Sequence, residues 1–133
     1  MSSSPPPERA LLDTSVLIAG GIAPIPGVLA ISAISLAELQ FGVLIAKTAE
    51  VRAERLRRLS ILQKHFDALP VDDAVVISYG RLAAAVVDAG RQPRRRSMDL
   101  LIAATAHAHG ARLYTRNIDD FTGLEQLVDI IAI

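Results

Sequence analysis

The sequence predicts an α/β fold, a three-layer α/β/α sandwich around a central, mainly parallel β-sheet of about five strands. Two observations predict this fold. Short apolar runs alternate along the chain with segments whose apolar residues recur at the helical spacing, as in strands joined by crossover helices. In addition, 51% of the residues are hydrophobic and the mean hydropathy is +0.37. A sheet buried on both faces needs apolar strands of this kind.

The individual elements follow from this periodicity and from the residues that interrupt it. Helices are expected to end at Gly20-Gly21, Gly90 and Gly110, because glycine readily adopts the backbone conformation that follows a helix. Asp72 or Asp73 is expected to cap the helix that begins there. Strands are predicted over residues 9–12, 28–32, 68–71, 112–115 and 127–133. Helices are predicted over residues 14–19, 35–46, 49–66, 73–89 and 97–109.

The chain is expected to form one domain. Its 133 residues are enough to bury a core without disulfides or metal staples. Residues 1–8, MSSSPPPE, are polar and proline-rich and cannot join a core, so we assign them to a flexible N-terminal lead. No internal repeat or long linker interrupts the remainder. Residues 9–133 are therefore assigned to a single domain.

Charge and cysteine content narrow the classes of function. The 14 Lys and Arg residues balance 14 Asp and Glu residues, so any binding of nucleic acid needs a local basic patch. The chain has no cysteine, which excludes thiolate metal sites and is compatible with a reducing cytoplasm, where we expect the protein. The apolar segment 10–31 contains Asp13, Pro24 and Pro26, and it is not expected to enter a membrane.

Several acidic residues fall where a parallel sheet would bring them to one edge. Asp13 follows the first predicted strand, and Glu38 and Asp99 lie in the first turns of two predicted helices. Asp119 and Asp120 follow the strand at 112–115. Ligands of open α/β sheets bind beyond the carboxyl ends of the strands, so these positions predict a functional site there.

Each of these acids also has a purely structural interpretation. Ser35 and Glu38 fit a capping box, in which Glu38 returns a hydrogen bond to the start of the helix. Asp99 can complement a helix dipole, and Asp13 can act as an N-cap. The acids after the strand at 112–115 are common turn residues.

The acids taken together indicate a metal ion. Converging carboxylates repel one another and raise each other's pKa unless a cation joins them. A donor set of carboxylates, with no cysteine and no paired histidine, favours Mg²⁺ or Mn²⁺ over Zn²⁺. Such an ion makes a bound water more acidic and neutralises charge on a phosphodiester.

Four segments of the chain carry a family resemblance. They are LLDTSVLI with Asp13, ISAISLAELQFG with Glu38, RRRSMDLLIAATAHAHGARLYTRN with Asp99, and TRNIDDF, which ends at Phe121. In this order and at this chain length, the sequence resembles PIN-domain ribonucleases, and among them the VapC toxins of bacterial toxin–antitoxin modules. The resemblance implies a PIN-like fold and a toxin that acts as a Mg²⁺- or Mn²⁺-dependent endoribonuclease.

The resemblance also implies metal ligands and partners. Asp13, Glu38 and Asp99 match the first three acids of the family and are the expected ligands of Mg²⁺ or Mn²⁺. The implied partners are an RNA substrate and a cognate VapB-type antitoxin. A homodimer and a toxin–antitoxin hetero-oligomer are implied as well.

The fourth acidic position of the family is not matched directly. Family members often carry an acid where this chain has Asn117. A neutral amide can still hold a water or a metal-bound ligand. We therefore include both Asn117 and Asp119 in the predicted catalytic set, with Asp120 as a further candidate.

The arginines supply the local basic patch that RNA binding requires. They precede the predicted helix that carries Asp99, although a solvated loop is the alternative interpretation. The predicted RNA contacts are Arg94, Arg95, Arg96 and Arg116, with Arg91 and Arg112 beside them. Only 4% of the residues are aromatic and none is Trp, so stacking of bases on aromatic rings is not the expected means of recognition. His107 and His109 face different sides of a helix and are not expected to bind a metal.

Two other classes of function fit parts of the pattern. A catalytically weak PIN-like module that acts by binding RNA or protein keeps the fold, and Asn117 motivates it. A receiver-like or phosphatase-like phosphotransfer domain fits the alternation of strands and helices. It lacks the required residues, since Asp13 is followed by Thr14 and Ser15 rather than by a second acid at Asp-x-Asp spacing. No glycine-rich phosphate loop is present either.

Overall fold

A computed structural model of the protein describes residues 8–20 and 22–133. In that part of the chain, one sheet contains β1 (Arg9–Leu12), β2 (Val28–Ala30), β3 (Arg112–Thr115) and β4 (Ile130–Ala132). The helices are α1 (Thr14–Ile18), α2 (Ala33–Leu44), α3 (Ala49–His65), α4 (Asp73–Asp88) and α5 (Ser97–Ala108). Two 3₁₀-helices span Pro93–Arg96 and Ile118–Phe121. Apart from Glu8, the N-terminal lead assigned to residues 1–8 lies outside the described residues, as does Gly21.

The sheet is covered by helices on both faces. Leu11 of β1 belongs to a buried cluster with Leu82 of α4 and Ile102 of α5. Its neighbour Leu12 points to the opposite face and packs in a second cluster with Val16 of α1. Because successive side chains of a strand alternate between faces, a strand buried on both sides reads as a continuous apolar run. The three-layer α/β/α sandwich predicted from the sequence is confirmed.

The predicted fifth strand, residues 68–71, is reduced to a single parallel bridge. The backbone N–H of Leu69 donates to the carbonyl of Ile31, and the carbonyl of Leu69 accepts from the N–H of Ala33, both at 2.8 Å. The partner segment turns into α2 at Ala33, so it offers no further extended residue to pair with. The described sheet therefore has four strands, one fewer than predicted.

The order of the strands is β2-β1-β3-β4, and all neighbours are parallel. The chain leaves β1 toward β2 on one side, whereas β3 and β4 lie on the other side of β1. The carboxyl ends of β1 and β3 are therefore adjacent at the point where the strand order reverses. The N–H of Asp13 donates to the carbonyl of Tyr114 at 2.9 Å, which continues their pairing past the end of β1.

The helix boundaries agree closely with the periodicity of the sequence. The side chain of Asp72 accepts a hydrogen bond from the N–H of Val75 and caps α4. Gly90 and Gly110 follow α4 and α5 with positive φ values of 78° and 60°, the conformation that favours glycine after a helix. None of the described helices is long and apolar enough to span a membrane.

Candidate metal centre

Asp13 lies at the turn from β1 into α1 and is only 4% exposed. It occupies the N-cap position of α1, but its carboxylate makes no hydrogen bond to the backbone of that helix. Instead, Oδ2 accepts hydrogen bonds from Oγ of Ser15 at 2.8 Å and from Oγ1 of Thr115 at 2.9 Å. The side chain is therefore directed to the gap between β1 and β3, and its interpretation as a helix cap is wrong.

The two hydroxyls that hold Asp13 are themselves fixed by the backbone after β3. Oγ of Ser15 accepts from the N–H of Arg116, and Oγ1 of Thr115 accepts from the N–H of Asn117, each at 3.0 Å. Each hydroxyl thus uses its proton on the carboxylate and a lone pair on a peptide N–H. This network sets the orientation of Asp13.

Glu38 projects from the second turn of α2 toward α1. Thr14 donates a hydrogen bond from Oγ1 to Oε1 of Glu38 at 2.7 Å, and the same Oγ1 lies 2.9 Å from Oγ of Ser35. The capping-box interpretation is wrong because α2 begins earlier than predicted. Ser32 is the N-cap and accepts from the N–H of Ser35, which leaves Glu38 free of any capping role.

Asp99 lies in the first turn of α5, where its side chain is 26% exposed. Its pKa is raised from 3.8 to about 6, first by burial and then by the carboxylates of Asp120, Asp13 and Glu38 in that order of importance. Arg96, whose guanidinium lies 3.7 Å from Oδ2 of Asp99, opposes the shift. The carboxylates of Asp120, Asp13 and Glu38 thus lie within electrostatic range of Asp99 at this edge of the sheet.

Asp120 is the candidate for the fourth position that the structure brings to these acids. It forms an ion pair with Arg96, and after burial its carboxylate has the largest effect on the pKa of Asp99. The side chains of Asn117 and Asp119 are exposed to solvent. The backbone of Asn117 contributes through its N–H, as described above. The short 3₁₀-helix Ile118–Phe121 produces this difference between two adjacent acids.

The acidic side chains fit a hard divalent cation by their chemistry. Within residues 8–20 and 22–133, no three acidic or histidine side chains stand close enough to ligate one ion as they are. The donors are nevertheless carboxylate oxygens, which Mg²⁺ and Mn²⁺ prefer. A cation would also offset the desolvation cost and the repulsion that raise the pKa of Asp99.

The predicted basic patch divides into residues near the acids and one residue far from them. Arg96 contacts Asp99 and Asp120 directly, and the backbone of Arg116 borders the Asp13 network. Arg112 begins β3 at the opposite edge of the sheet, where it pairs with Glu8 and Asp129. Its inclusion in the patch is wrong, because the length of the extended strand β3 separates it from the carboxyl edge.

The two histidines at the end of α5 make contacts that join parts of the fold. Nδ1 of His107 lies 2.8 Å from Oγ of Ser78 and joins α5 to α4. The carbonyl of His109, at the end of α5, accepts a hydrogen bond from Arg9. Neither belongs to the acidic cluster.

Comparisons with known proteins agree with this fold. The PIN-domain family matches residues 10–125. Ribonuclease VapC5 of Mycobacterium tuberculosis (strain ATCC 25618 / H37Rv) is 38% identical over 125 residues, which cover 90% of each chain. Ribonuclease VapC8 of Mycobacterium tuberculosis (strain CDC 1551 / Oshkosh) is 43% identical over 100 residues, 72% of this chain and 88% of the relative.

Solved structures show the same similarity. The toxin–antitoxin complex VapBC-5 from Mycobacterium tuberculosis contains a chain that matches with a TM-score of 0.82 and 38% identity, covering 96% of this chain and 98% of that one. FitAcB from Neisseria gonorrhoeae matches with a TM-score of 0.73 and 27% identity over 92% and 96% of the two chains. The chain belongs to the PIN-domain family.

Proposed function

We propose that this protein is a ribonuclease toxin of the VapC type, which hydrolyses phosphodiester bonds within RNA in the cytoplasm. One observation carries the proposal: at the carboxyl edge of the sheet, Ser15 and Thr115 hold the carboxylate of Asp13, and the adjacent Thr14 holds that of Glu38. Both carboxylates contribute to the raised pKa of Asp99. Relatives named ribonucleases support RNA as the substrate. The similarity to a VapBC complex supports the role of a toxin that is paired with an antitoxin.

The proposed activity depends on Mg²⁺ or Mn²⁺ held by Asp13, Glu38 and Asp99. When bound, the ion supplies a more acidic water and positive charge at the phosphate. Asp120 lies beside this set and is held by Arg96. We propose that Asp120, more than Asn117 or Asp119, completes it.

The chain's own residues provide the remaining requirements of hydrolysis. A bond forms between a water oxygen and phosphorus while the bond between phosphorus and a ribose oxygen breaks, so both the water and the phosphate need fixed positions. Ser15 and Thr115 fix the carboxylate of Asp13. The guanidinium groups of Arg96 and Arg116 bind phosphate oxygens at the same edge. Arg94 and Arg95 extend this basic surface along the RNA.

The proposed antitoxin partner fits an apolar groove that lies between α1, α2 and α3 and borders Glu38. A cavity of about 500 Å³ lies between α1, α2 and α3 and is lined by apolar residues such as Leu17, Leu39 and Leu62. Glu38 and Thr14 are part of its wall. An antitoxin segment in this groove would cover Glu38 and exclude RNA.

We also assign a homodimer and a toxin–antitoxin hetero-oligomer to this protein. The end of α2 and the following turn expose Phe41, Leu44 and Ile45, with exposed fractions of 62%, 74% and 55%. Contiguous exposed apolar residues of this size are typical of a surface that another chain covers.

We propose that the catalytic unit is a single PIN domain of residues 9–133, with residues 1–8 as a separate lead. A variant that lacks residues 1–7 is then expected to cleave RNA at the rate of the full chain. A large loss of activity in that variant would show that the lead belongs to the catalytic unit.

The proposed function is tested by RNA cleavage with protein that has been freed of its antitoxin. The wild type is expected to cut a labelled RNA internally with Mg²⁺ or Mn²⁺ and not with EDTA. Asp13→Asn and Asp99→Asn are each expected to slow cleavage about 100-fold or more. Asp129→Asn, an exposed acid at the opposite edge of the sheet, is the matched control. Full activity of both site variants would refute the proposal.

A second function keeps the fold without the chemistry: a catalytically weak module that binds RNA or protein. The neutral, exposed Asn117 favours it, since family members often have an acid there. This function predicts that the wild type binds RNA with unchanged affinity in EDTA and shows no saturable Mn²⁺ binding by calorimetry.

A further inference from the structure

A second concave feature lies beside the acidic site on the side away from the apolar groove. It is a cavity of about 390 Å³ between α4, the first 3₁₀-helix, α5 and the second 3₁₀-helix. Its size falls within the range of sites that hold small molecules. Arg95, Arg96 and Asp120 of its lining have roles in the proposed function, but the cavity itself has none.

The cavity is continuous with the acidic site through two shared residues. Arg96 and Asp120 line the cavity, and Arg96 also lies 3.7 Å from Oδ2 of Asp99. A group inside the cavity would therefore lie next to a phosphate bound at the acids. Because the cavity adjoins the acids, we associate it with the substrate rather than with the antitoxin.

The lining combines positive charge, an amide and an apolar floor. Arg91 and Arg95 stand at the walls together with Gln92, and all three side chains are exposed at the surface. Leu100 and Leu124, each 2% exposed as residues, form the floor. Guanidinium planes stack on nucleobases and bind phosphates, and a glutamine amide pairs with the polar edge of a base. This combination suits a nucleotide better than a simple anion.

We propose that this cavity is a nucleotide subsite, which holds one nucleotide of the RNA next to the bond that is cut. The inference rests on the proposed ribonuclease function for its role, although the binding itself is independent of cleavage. The base lies on Leu100 and Leu124 beneath the guanidinium of Arg95. Gln92 contacts the edge of the base, and Arg91 binds a phosphate. Arginine thereby replaces the aromatic rings that the chain largely lacks.

The two sides of the acidic site differ in the ligand that they fit. Half of the residues that line the groove between α1, α2 and α3 are Leu or Ile, and Arg55, Arg58 and Glu38 also lie in its wall. This lining suits an amphipathic protein segment. The cavity beside α4 and α5 has three arginines at its walls, which suits a phosphate-bearing ligand. An acidic protein segment would also meet these charges, but it would not need the apolar floor.

The test is a titration of metal-free protein in EDTA, followed by the amide signals of a ¹⁵N-labelled sample. The probes are the four nucleoside 5′-monophosphates, ribose 5-phosphate and inorganic phosphate. Nucleotides are expected to shift the signals of Gly90, Gln92 and Thr122, and to bind about fivefold or more tightly than ribose 5-phosphate because the base adds stacking. Arg95→Ala is expected to weaken nucleotide binding about fivefold or more.

Arg81→Ala is the matched control, because Arg81 is an exposed arginine of α4, which borders the cavity, and does not line it. It is expected to bind nucleotides as the wild type does. Equal binding of nucleotides and inorganic phosphate would overturn the proposal and indicate an anion site only. Equal effects of the two arginine variants would overturn it as well.

Cleavage experiments separate this inference from the proposed function. If nucleotides bind as described and RNA is not cut, the subsite stands and the ribonuclease function fails. If RNA is cut and Arg95→Ala changes neither nucleotide binding nor the bases found beside the cleavage sites, the subsite fails and the ribonuclease function stands.

Discussion

At the scale of single residues, Asp99 shows how folding changes the chemistry of a carboxyl group. Burial and the carboxylates of Asp120, Asp13 and Glu38 raise its pKa from 3.8 to about 6, and Arg96 only partly offsets this. The ionised form is therefore disfavoured in the metal-free protein. The carboxylates that destabilise this anion are the oxygen ligands of the proposed cation.

Asp99→Asn is expected to stabilise the metal-free protein at alkaline pH. Folding raises the pKa of Asp99, so the protein is most stable when this group is neutral. That stability is fully present below the unfolded pKa of 3.8 and is lost as the pH rises through about 6. At pH 8 in EDTA, the variant is expected to gain about 1 to 2 kcal/mol in the free energy of unfolding. At pH 4 the gain is expected to be close to zero.

Urea denaturation at the two pH values measures this difference, and Asp129→Asn at the opposite edge of the sheet serves as the control. A loss of stability in Asp99→Asn at pH 8 would contradict the interpretation of Asp99 as a repelled carboxylate. An equal gain at both pH values would contradict it too.

Thr115→Val is expected to destabilise the protein and to weaken the site. The buried hydroxyl of Thr115 donates to Oδ2 of Asp13 and accepts from the N–H of Asn117. Its loss removes one of the two hydrogen bonds to this buried carboxylate and leaves the N–H of Asn117 without that partner. The expected cost is about 1 to 3 kcal/mol in the free energy of unfolding. Thr105→Val is the matched control: this hydroxyl is equally buried but donates to the carbonyl of Leu101 within the same helix.

The control variant is expected to lose less than about half as much stability, because a helical carbonyl retains its backbone hydrogen bond. Thermal or urea denaturation measures both variants. Equal losses would show that the Asp13 network has no special role in the fold.

Some residues of the candidate site are predictable from the sequence. Others are not, and the reason is physical. Asp13 follows a strand, and Glu38 and Asp99 lie in the first two turns of helices, so the fold places all three near one edge of the sheet. The choice of Asp120 over Asp119 depends on the turn of a short 3₁₀-helix, which buries Phe121 to 1% exposure. No periodicity specifies the direction of side chains in so short an element.

At the scale of elements, α2 shows how a small change at a helix start alters a functional interpretation. Ser32 caps the helix, so Ser35 lies inside it and is fully buried beside Thr14. From the sequence alone, Ser35 and Glu38 match a capping box as well as Ser32 matches an N-cap. The difference comes from tertiary packing, which fixes where the helix begins.

Two glycines give opposite predictions because their backbones differ. Gly80 lies within α4, and no atom beyond its chain neighbours and the adjacent backbone of that helix lies within 4 Å of the place that a Cβ would take. Gly80→Ala is therefore expected to stabilise the protein by about 0.5 to 1 kcal/mol. Gly110 has a φ of +60° after α5, and Gly110→Ala is expected to cost about 1 kcal/mol. Thermal denaturation tests both. Stability changes of the same sign in the two variants would contradict the assigned backbone conformations.

The elements themselves are largely predictable, since their apolar periodicity and glycine ends are local properties of the chain. The predicted strand at 68–71 is the exception. Leu69 does pair with its neighbour, but the partner segment turns into α2 at Ala33 and the ladder ends after one bridge. An apolar run therefore indicates where pairing begins better than how far it extends, because the extent also depends on the partner segment.

At the scale of the whole molecule, the order of the strands determines which residues meet. The reversal between β1 and β3 brings Asp13 beside Thr115, although 102 positions separate them in the chain. The alternation of strands and helices predicts a parallel sheet, but it does not specify this order. The apolar groove and the arginine-lined cavity lie on either side of the resulting site.

The groove predicts a difference between two neighbouring residues of α3. Leu62→Glu places a charge inside the groove and is expected to weaken binding of the antitoxin about tenfold or more. Ile61→Glu, at an exposed position outside the groove lining, is expected to have little effect. Calorimetry with the purified antitoxin measures both, and circular dichroism checks their folding. Equal weakening would place the antitoxin elsewhere.

The most direct test of a metal centre at the switch point of the sheet is a calorimetric titration of Mn²⁺ into protein freed of nucleic acid and antitoxin. The wild type is expected to show saturable binding, and Asp13→Asn and Glu38→Gln are expected to weaken it about tenfold or more. Asp129→Asn is expected to bind as the wild type does. Absence of saturable binding, or binding that both site variants leave unchanged, would contradict a metal centre at this position.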